Sequence, residues 1–150
     1  MAHTYDTLQV GDDFTLHRIF TAEDVRIFAE LTGDDNPIHV DEAYAATTRF
    51  GKPIVHGVFL LGVVSKMLGR DFPGPGCVAV SISCRFLRPV PVGDEVTFQV
   101  RVSEKIERYR HIKMRVFAYL GGKTVFSGEV RIIPPTGEEQ EPAKSEEREA

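Results

Sequence analysis

Residues 54–69, IVHGVFLLGVVSKMLG, constrain this chain more than any other stretch. They are apolar on nearly every face until Lys66. A helix of that kind leaves no face for water and must be buried all round. Gly57 and Gly62 lower its helix propensity, which is tolerable where something must approach the backbone closely. Gly69 is the expected stop. The longest unbroken apolar run, Val58 to Val64, is far too short to span a bilayer, so the rest of the chain must provide the burial.

The remaining segments can do so. DFTLHRIF at 13–20 alternates as a strand, with Phe14, Leu16 and Arg18 on one side. TAED at 21–24 opens a helix with a variant capping box between Thr21 and Asp24. Val25, Phe28, Ala29 and Thr32 follow at helical spacing beside Leu31, and Gly33 closes the helix. Residues 34–53 are irregular, with a short helix at DEAYAATTRF whose N-cap is Asp41 and whose Tyr44 and Ala45 face inward. After the turn residues PGPG at 73–76, everything reads as strand: 77–90, then 94–108, then 111–120, then 123–133. Val96, Phe98, Val100 and Val102 alternate with polar neighbours, as do Ile112, Met114, Val116 and Ala118. Gly121-Gly122 makes a tight hairpin. The expected fold class is α+β, a curled antiparallel sheet wrapped around the apolar helix. One sheet leaves an edge strand and a half-covered helix, and a second copy of the chain is the natural cover.

Composition narrows the function classes. The net charge of −4 is accounted for by residues 134–150, which hold six glutamates, one lysine and one arginine. Residues 1–133 are balanced, which gives no basis for nucleic-acid binding. The expected organisation is one domain over 1–133 and a disordered acidic tail over 134–150. Cys77 and Cys84 lie an odd number of residues apart on one strand, so they should point to opposite faces and stay free. No Cys/His spacing suggests zinc. The N-terminus lacks a signal core, and free thiols fit a reducing compartment, so a cytoplasmic protein is expected.

The chemistry concentrates in GDDNPIH, residues 33–39. Asp34 and His39 are five residues apart, with Pro37 fixing the turn between them. A carboxylate and an imidazole on one rigid corner can act as a general acid/base pair, although such a turn alone is also an ordinary loop. Asn36 can hold the loop as an Asx-turn residue or orient a water. Gly57, at the start of the apolar helix, lets a ligand approach a free backbone N–H where the helix dipole favours negative charge.

Three blocks, D-x-N-P-x-H (Asp34 to His39), D-x-x-[YF]-A (Asp41 to Ala45) and FGKPIVHGV (Phe50 to Val58), together with PVPVGDEV (Pro89 to Val96), resemble the MaoC-like family of (R)-specific enoyl-CoA hydratases. The resemblance runs over roughly residues 8 to 133. It implies a hot-dog fold, a homodimer with the site near the subunit interface, and reversible hydration of a trans-2-enoyl thioester to an (R)-3-hydroxyacyl thioester in fatty-acyl metabolism. It places catalysis on Asp34 and His39, a supporting role on Asn36, and the backbone amide that polarises the thioester carbonyl on Gly57. It requires no metal or organic cofactor. Asp35 stands where some relatives carry an apolar or aromatic residue, which bears on substrate preference.

The other conspicuous residues read as supporting. His56 bonds to nearby backbone rather than reacting; Tyr44 and Phe50 pack; His3, His17 and His111 are surface residues. Ser65 lines an acyl pocket or back-bonds to a carbonyl, with the latter preferred. Arg49, Lys52, Arg85 and Arg88 are candidates to meet the phosphates of an acyl-CoA or the acidic surface of an acyl carrier protein. Three rival readings follow: a 3-hydroxyacyl-carrier-protein dehydratase running the reverse reaction, a thioesterase, and a non-catalytic acyl-CoA-binding subunit.

Overall fold

The computed structural model describes residues 3–139. The acidic segment 140–150 lies outside the described residues. Packing continues past the expected boundary at 133: Pro134 and Pro135 are buried, and the Glu139 carboxylate accepts from the Thr136 and Gly137 amides.

In chain order the elements are β1 (Asp13–Ile19), α1 (Ala22–Thr32), α2 (Pro37–Val40), α3 (Glu42–Ala46), α4 (Gly57–Lys66), a π-helical turn (Met67–Asp71), β2 (Val78–Phe86), β3 (Glu95–Ile106), β4 (His111–Leu120) and β5 (Lys123–Ile133). The five strands form one antiparallel sheet in the order β1-β3-β4-β5-β2. The four later strands are therefore consecutive in sequence but not in space. β2 crosses to the far edge and pairs with β5, while β1 takes the place beside β3.

The sheet's inner face is the one its alternation dictates. Val96, Phe98, Val100, Val102, Ile112, Met114, Val116 and Ala118 are all at most 1% exposed. Burying side chains of this size contributes about 1.5–3 kcal/mol each for the larger ones. Against them lie Leu60, Val63 and Val64 of α4 and Met67 and Leu68 of the π-helical turn. This is the sheet-around-helix, hot-dog arrangement that the sequence resemblance implies. At the hairpin between β4 and β5, Gly121 and Gly122 both take positive φ, 54° and 76°, as a primed turn demands.

The apolar helix begins at Gly57, where the sequence reading placed its start, and the residues before it form a short extended pair in which Val55 and Val92 donate to the Val90 and Pro53 carbonyls. Several expectations need correcting. Gly69 lies inside the π-helical turn and does not end it. Burial of α4 is not all-round within one chain: Val58, Gly62 and Ser65 are exposed, since a single sheet covers a single side. Ser65 makes no back-bond to a carbonyl among the described residues. Cys77 and Cys84 are both free, but both pack against the core, because a bulge between Ala79 and Ser81 shifts the alternation by one residue. Tyr44 is 47% exposed while Ala45 is fully buried, so only the alanine faces inward.

Candidate active site

The site is assembled where α1 ends. The Thr21–Asp24 capping box starts that helix and Gly33 stops it in the left-handed conformation, φ 79°. The Thr32 hydroxyl accepts from the Asp34 amide at 3.2 Å, which turns the chain toward Asn36. Pro37 does not merely break structure. It occupies the first position of α2, where the missing N–H costs no helical bond. The Asn36 side chain caps that turn by accepting from the Ile38 amide at 3.2 Å. Asn36 therefore performs the loop-holding role of its two expected readings.

His39 sits on α2, half-buried. Its Nδ1 lies 2.6 Å from the Ile54 carbonyl, so Nδ1–H donates and Nε2 carries the lone pair. Ile54 returns the contact by donating its amide to the Ile38 carbonyl at 3.2 Å. Burial pushes the His39 pKa below the ordinary histidine value of 6.5; the bond to Ile54 opposes this, His56 adds to it and Asp34 opposes it. His39 is thus held as a neutral imidazole at neutral pH. Asp34 is exposed, and a carboxylate oxygen of Asp34 and ring nitrogens of His39 and His56 lie within 4.8 Å of one another. Those three groups are also the set that can hold a metal ion among the described residues, though one nitrogen of His56 is already committed to backbone.

His56 supports as expected. It is 1% exposed, and its Nε2–H donates to the Asp34 carbonyl at 2.9 Å. Directly after it, Gly57 opens α4, and no side chain among the described residues caps this helix end. Phe59 donates its amide back to the His56 carbonyl, which leaves the Gly57 and Val58 amides to whatever occupies the adjoining space. That space is a cleft of about 300 Å³ lined by His39, Arg49, Gly57, Phe86 and Arg88 among others. A second cleft, about 500 Å³, reaches His39 from the side of α1 and α3 and includes Lys52.

The basic candidates separate accordingly. Arg49 and Arg88 border the cleft that holds His39 and Gly57; Lys52 lies on the second cleft; Arg85 lies away from both, in a depression with Arg115 and Glu129. His3 and His17 are exposed, while His111 is half-buried and accepts from Arg131 Nε at 2.9 Å, which corrects its surface reading. Phe50 is half-buried beneath the Arg49 guanidinium. Sequence reasoning missed Phe86, whose ring lies against Gly57, and the Ile54 carbonyl that orients His39. The glycine at 57 was the one available signal for the first; a backbone carbonyl carries no sequence signal.

Among known proteins, the family described as "MaoC like domain" matches residues 7–119. The 3-hydroxybutyryl-CoA dehydratase of Methylorubrum extorquens is 39% identical over 138 residues, 92% of this chain and 88% of that protein. The (R)-specific enoyl-CoA hydratase of Aeromonas caviae is 40% identical over 131 residues, 86% of this chain and 97% of that one. A solved structure of the (R)-hydratase from A. caviae involved in PHA biosynthesis superposes with a TM-score of 0.84 at 39% identity, covering 86% of this chain and 98% of the other. On the matching domain, the sequence identity and the shared architecture, this chain belongs to the MaoC-like family of hot-dog proteins.

Proposed function

We propose that this protein is an (R)-specific enoyl-CoA hydratase, adding water reversibly to a trans-2-enoyl-CoA. The observation that carries the reading is the convergence of Asp34 and His39, within 4.8 Å, beside a cleft that also opens on the uncapped N-terminus of α4. The (R) outcome is supported by the relatives that bear that name.

Hydration requires a water to lose a proton as its oxygen bonds to C3, a proton to reach C2, and the thioester oxygen to be stabilised as enolate character develops. The His39 Nε2 lone pair and the Asp34 carboxylate hold the water from one side. As the oxygen attacks C3, the pair takes its proton, and the C2–C3 π electrons shift toward the carbonyl. The pair then returns a proton to C2 on the same face, a syn addition. The Gly57 amide, at the positive end of the α4 dipole, receives the thioester oxygen. Arg49 and Arg88 at the cleft suit the phosphates of CoA. The same two residues would suit a phosphopantetheine arm on a carrier protein, so that substrate is an arm of the test.

The proposed assembly is a homodimer. Among the described residues β2 is an edge strand paired only to β5, and it exposes Val78, Val80 and Phe86, with Leu87 just beyond it and Val58 exposed on α4. An apolar edge of this kind is covered by a partner in stable proteins. No helix among the described residues is long and apolar enough to cross a membrane. The free thiols support the cytoplasm as the proposed compartment.

The test mixes purified protein with crotonyl-CoA and follows loss of the conjugated enoyl absorbance. Product chirality is read by coupling to (R)- and (S)-specific dehydrogenases. Rapid loss giving the (R) product is expected. Activity only on an enoyl carrier protein would move the assignment to a dehydratase of that carrier, and thiol release would move it to a thioesterase. Binding of acyl-CoA without turnover on any substrate would sink the enzymatic reading.

A further inference from the structure

His56 has no reacting role in this mechanism, yet its surroundings single it out. Its ring is stacked on His39 with 3.9 Å between centroids and 29° between planes. Phe28 lies on it at 4.6 Å. One nitrogen serves the Asp34 carbonyl. The other, Nδ1, is buried and has no partner among the described residues. A histidine kept only for hydrogen-bond balance would satisfy both nitrogens. A phenylalanine would fill the same slot without leaving a buried nitrogen unpaired. What the histidine supplies here is one directed N–H, aimed at the main chain of Asp34, the residue whose carboxylate the proposed mechanism uses.

We infer that His56 is a positioning residue for the reaction. It pins the Asp34 main chain through Nε2–H and forms the surface on which the His39 ring rests. It thereby sets the spacing of the carboxylate and the His39 Nε2 lone pair. The two members of the acid/base pair are then located from one rigid, buried ring at the foot of α4. This inference rests on the acid/base reading of Asp34 and His39.

Its test uses variants that separate the two nitrogens. In His56→Gln the side-chain amide reaches the place of Nε2 and can still donate to the Asp34 carbonyl. In His56→Asn the amide stands at the place of Nδ1 and cannot. His56→Phe keeps the ring and loses the donor. Each is assayed on crotonyl-CoA, with thermal midpoint and circular dichroism recorded alongside. Misplacing reacting groups by about an ångström costs on the order of a hundredfold, so His56→Asn and His56→Phe should lose about that in kcat with KM little changed. His56→Gln should recover most of it. Equal kcat in the Gln and Asn variants, or a loss carried by KM, would overturn the inference while leaving the hydratase reading intact. If His56→Asn does not fold, the Gln and Phe variants decide the same question. A wild-type protein silent on crotonyl-CoA and on longer enoyl thioesters would overturn both.

Discussion

Phe86 occupies the space that a side chain on Gly57 would need: an ideal Cβ there would lie 2.9 Å from two carbons of the phenyl ring. The close approach expected at the helix glycines is thus present at Gly57, where β2 fills part of it, whereas among the described residues nothing lies within 4 Å of a Cβ built on Gly62. Gly57→Ala would force the half-exposed Phe86 ring aside and place a methyl group against the first-turn amide. The expected result is a protein that still folds and a loss of about 3 kcal/mol of transition-state stabilisation, roughly two orders of magnitude in kcat. Retained kcat in a folded Gly57→Ala variant, which keeps the N–H, would show that the approach to this amide does not depend on the missing Cβ.

Asp34→Asn and His39→Asn should each lower kcat by about 10²–10⁴-fold. The His39→Asn side chain can keep the donor toward the Ile54 carbonyl while lacking a nitrogen at the Nε2 position, so its fold should persist. The double variant should be scarcely slower than either single one, because groups that act as a unit are not additive. Steady-state kinetics on the three proteins, with far-ultraviolet circular dichroism as the folding control, settles this.

His39 also ties stability to pH. Its pKa in the folded protein is lowered below 6.5, chiefly by burial. The unfolded chain therefore binds more protons in the window just below that value, and stability falls as pH drops through it. The contribution is complete above the unfolded pKa. Denaturant titrations between pH 7.5 and about pH 5 should show a decline that is shallower in His39→Asn. An identical slope in both proteins would show that His39 does not carry it.

Asn36 holds the first turn of α2 by accepting from Ile38. Asn36→Ala should cost about 1 kcal/mol of stability, whereas Asn36→Asp, an equally good cap, should cost little. With the loop intact, Asn36→Asp should retain hydration. Loss of activity in Asn36→Asp at unchanged melting temperature would instead assign the carboxamide to the water.

The apolar edge of β2 carries the proposed dimer. A Val78→Glu/Val80→Glu pair places two charges on strand positions 55% and 49% exposed in the single chain. Sedimentation should then report a dimer for the parent and a monomer for the variant. An unchanged dimer would move the interface elsewhere.

Much of the architecture was legible in the sequence, and for local reasons. Val96 to Val102 and Ile112 to Ala118 alternate with period two, so their inner face followed from the residues themselves. The Thr21–Asp24 box, Gly33, Asp41 and Gly121-Gly122 act through hydrogen bonds and dihedral angles within a few residues. The D-x-N-P-x-H spacing brought Asp34, Asn36 and His39 to one corner because the chain between them is too short to do otherwise.

Tertiary structure decided the rest. Nothing within β2 announces that it will cross to pair with β5, since that choice depends on contacts some fifty residues away. The bulge between Ala79 and Ser81 that turned Cys77 and Cys84 to the same side arises in that pairing. The tautomer of His39 is set by a carbonyl 15 residues distant, and the hold of His56 on Asp34 spans 22. Only two of the four basic candidates, Arg49 and Arg88, border the cleft with Gly57. Sequence determined which groups can do the chemistry, because reactivity belongs to side-chain type and short-range geometry. The fold alone determined which of them are buried, oriented and adjacent, because those properties exist only once distant segments have closed on one another.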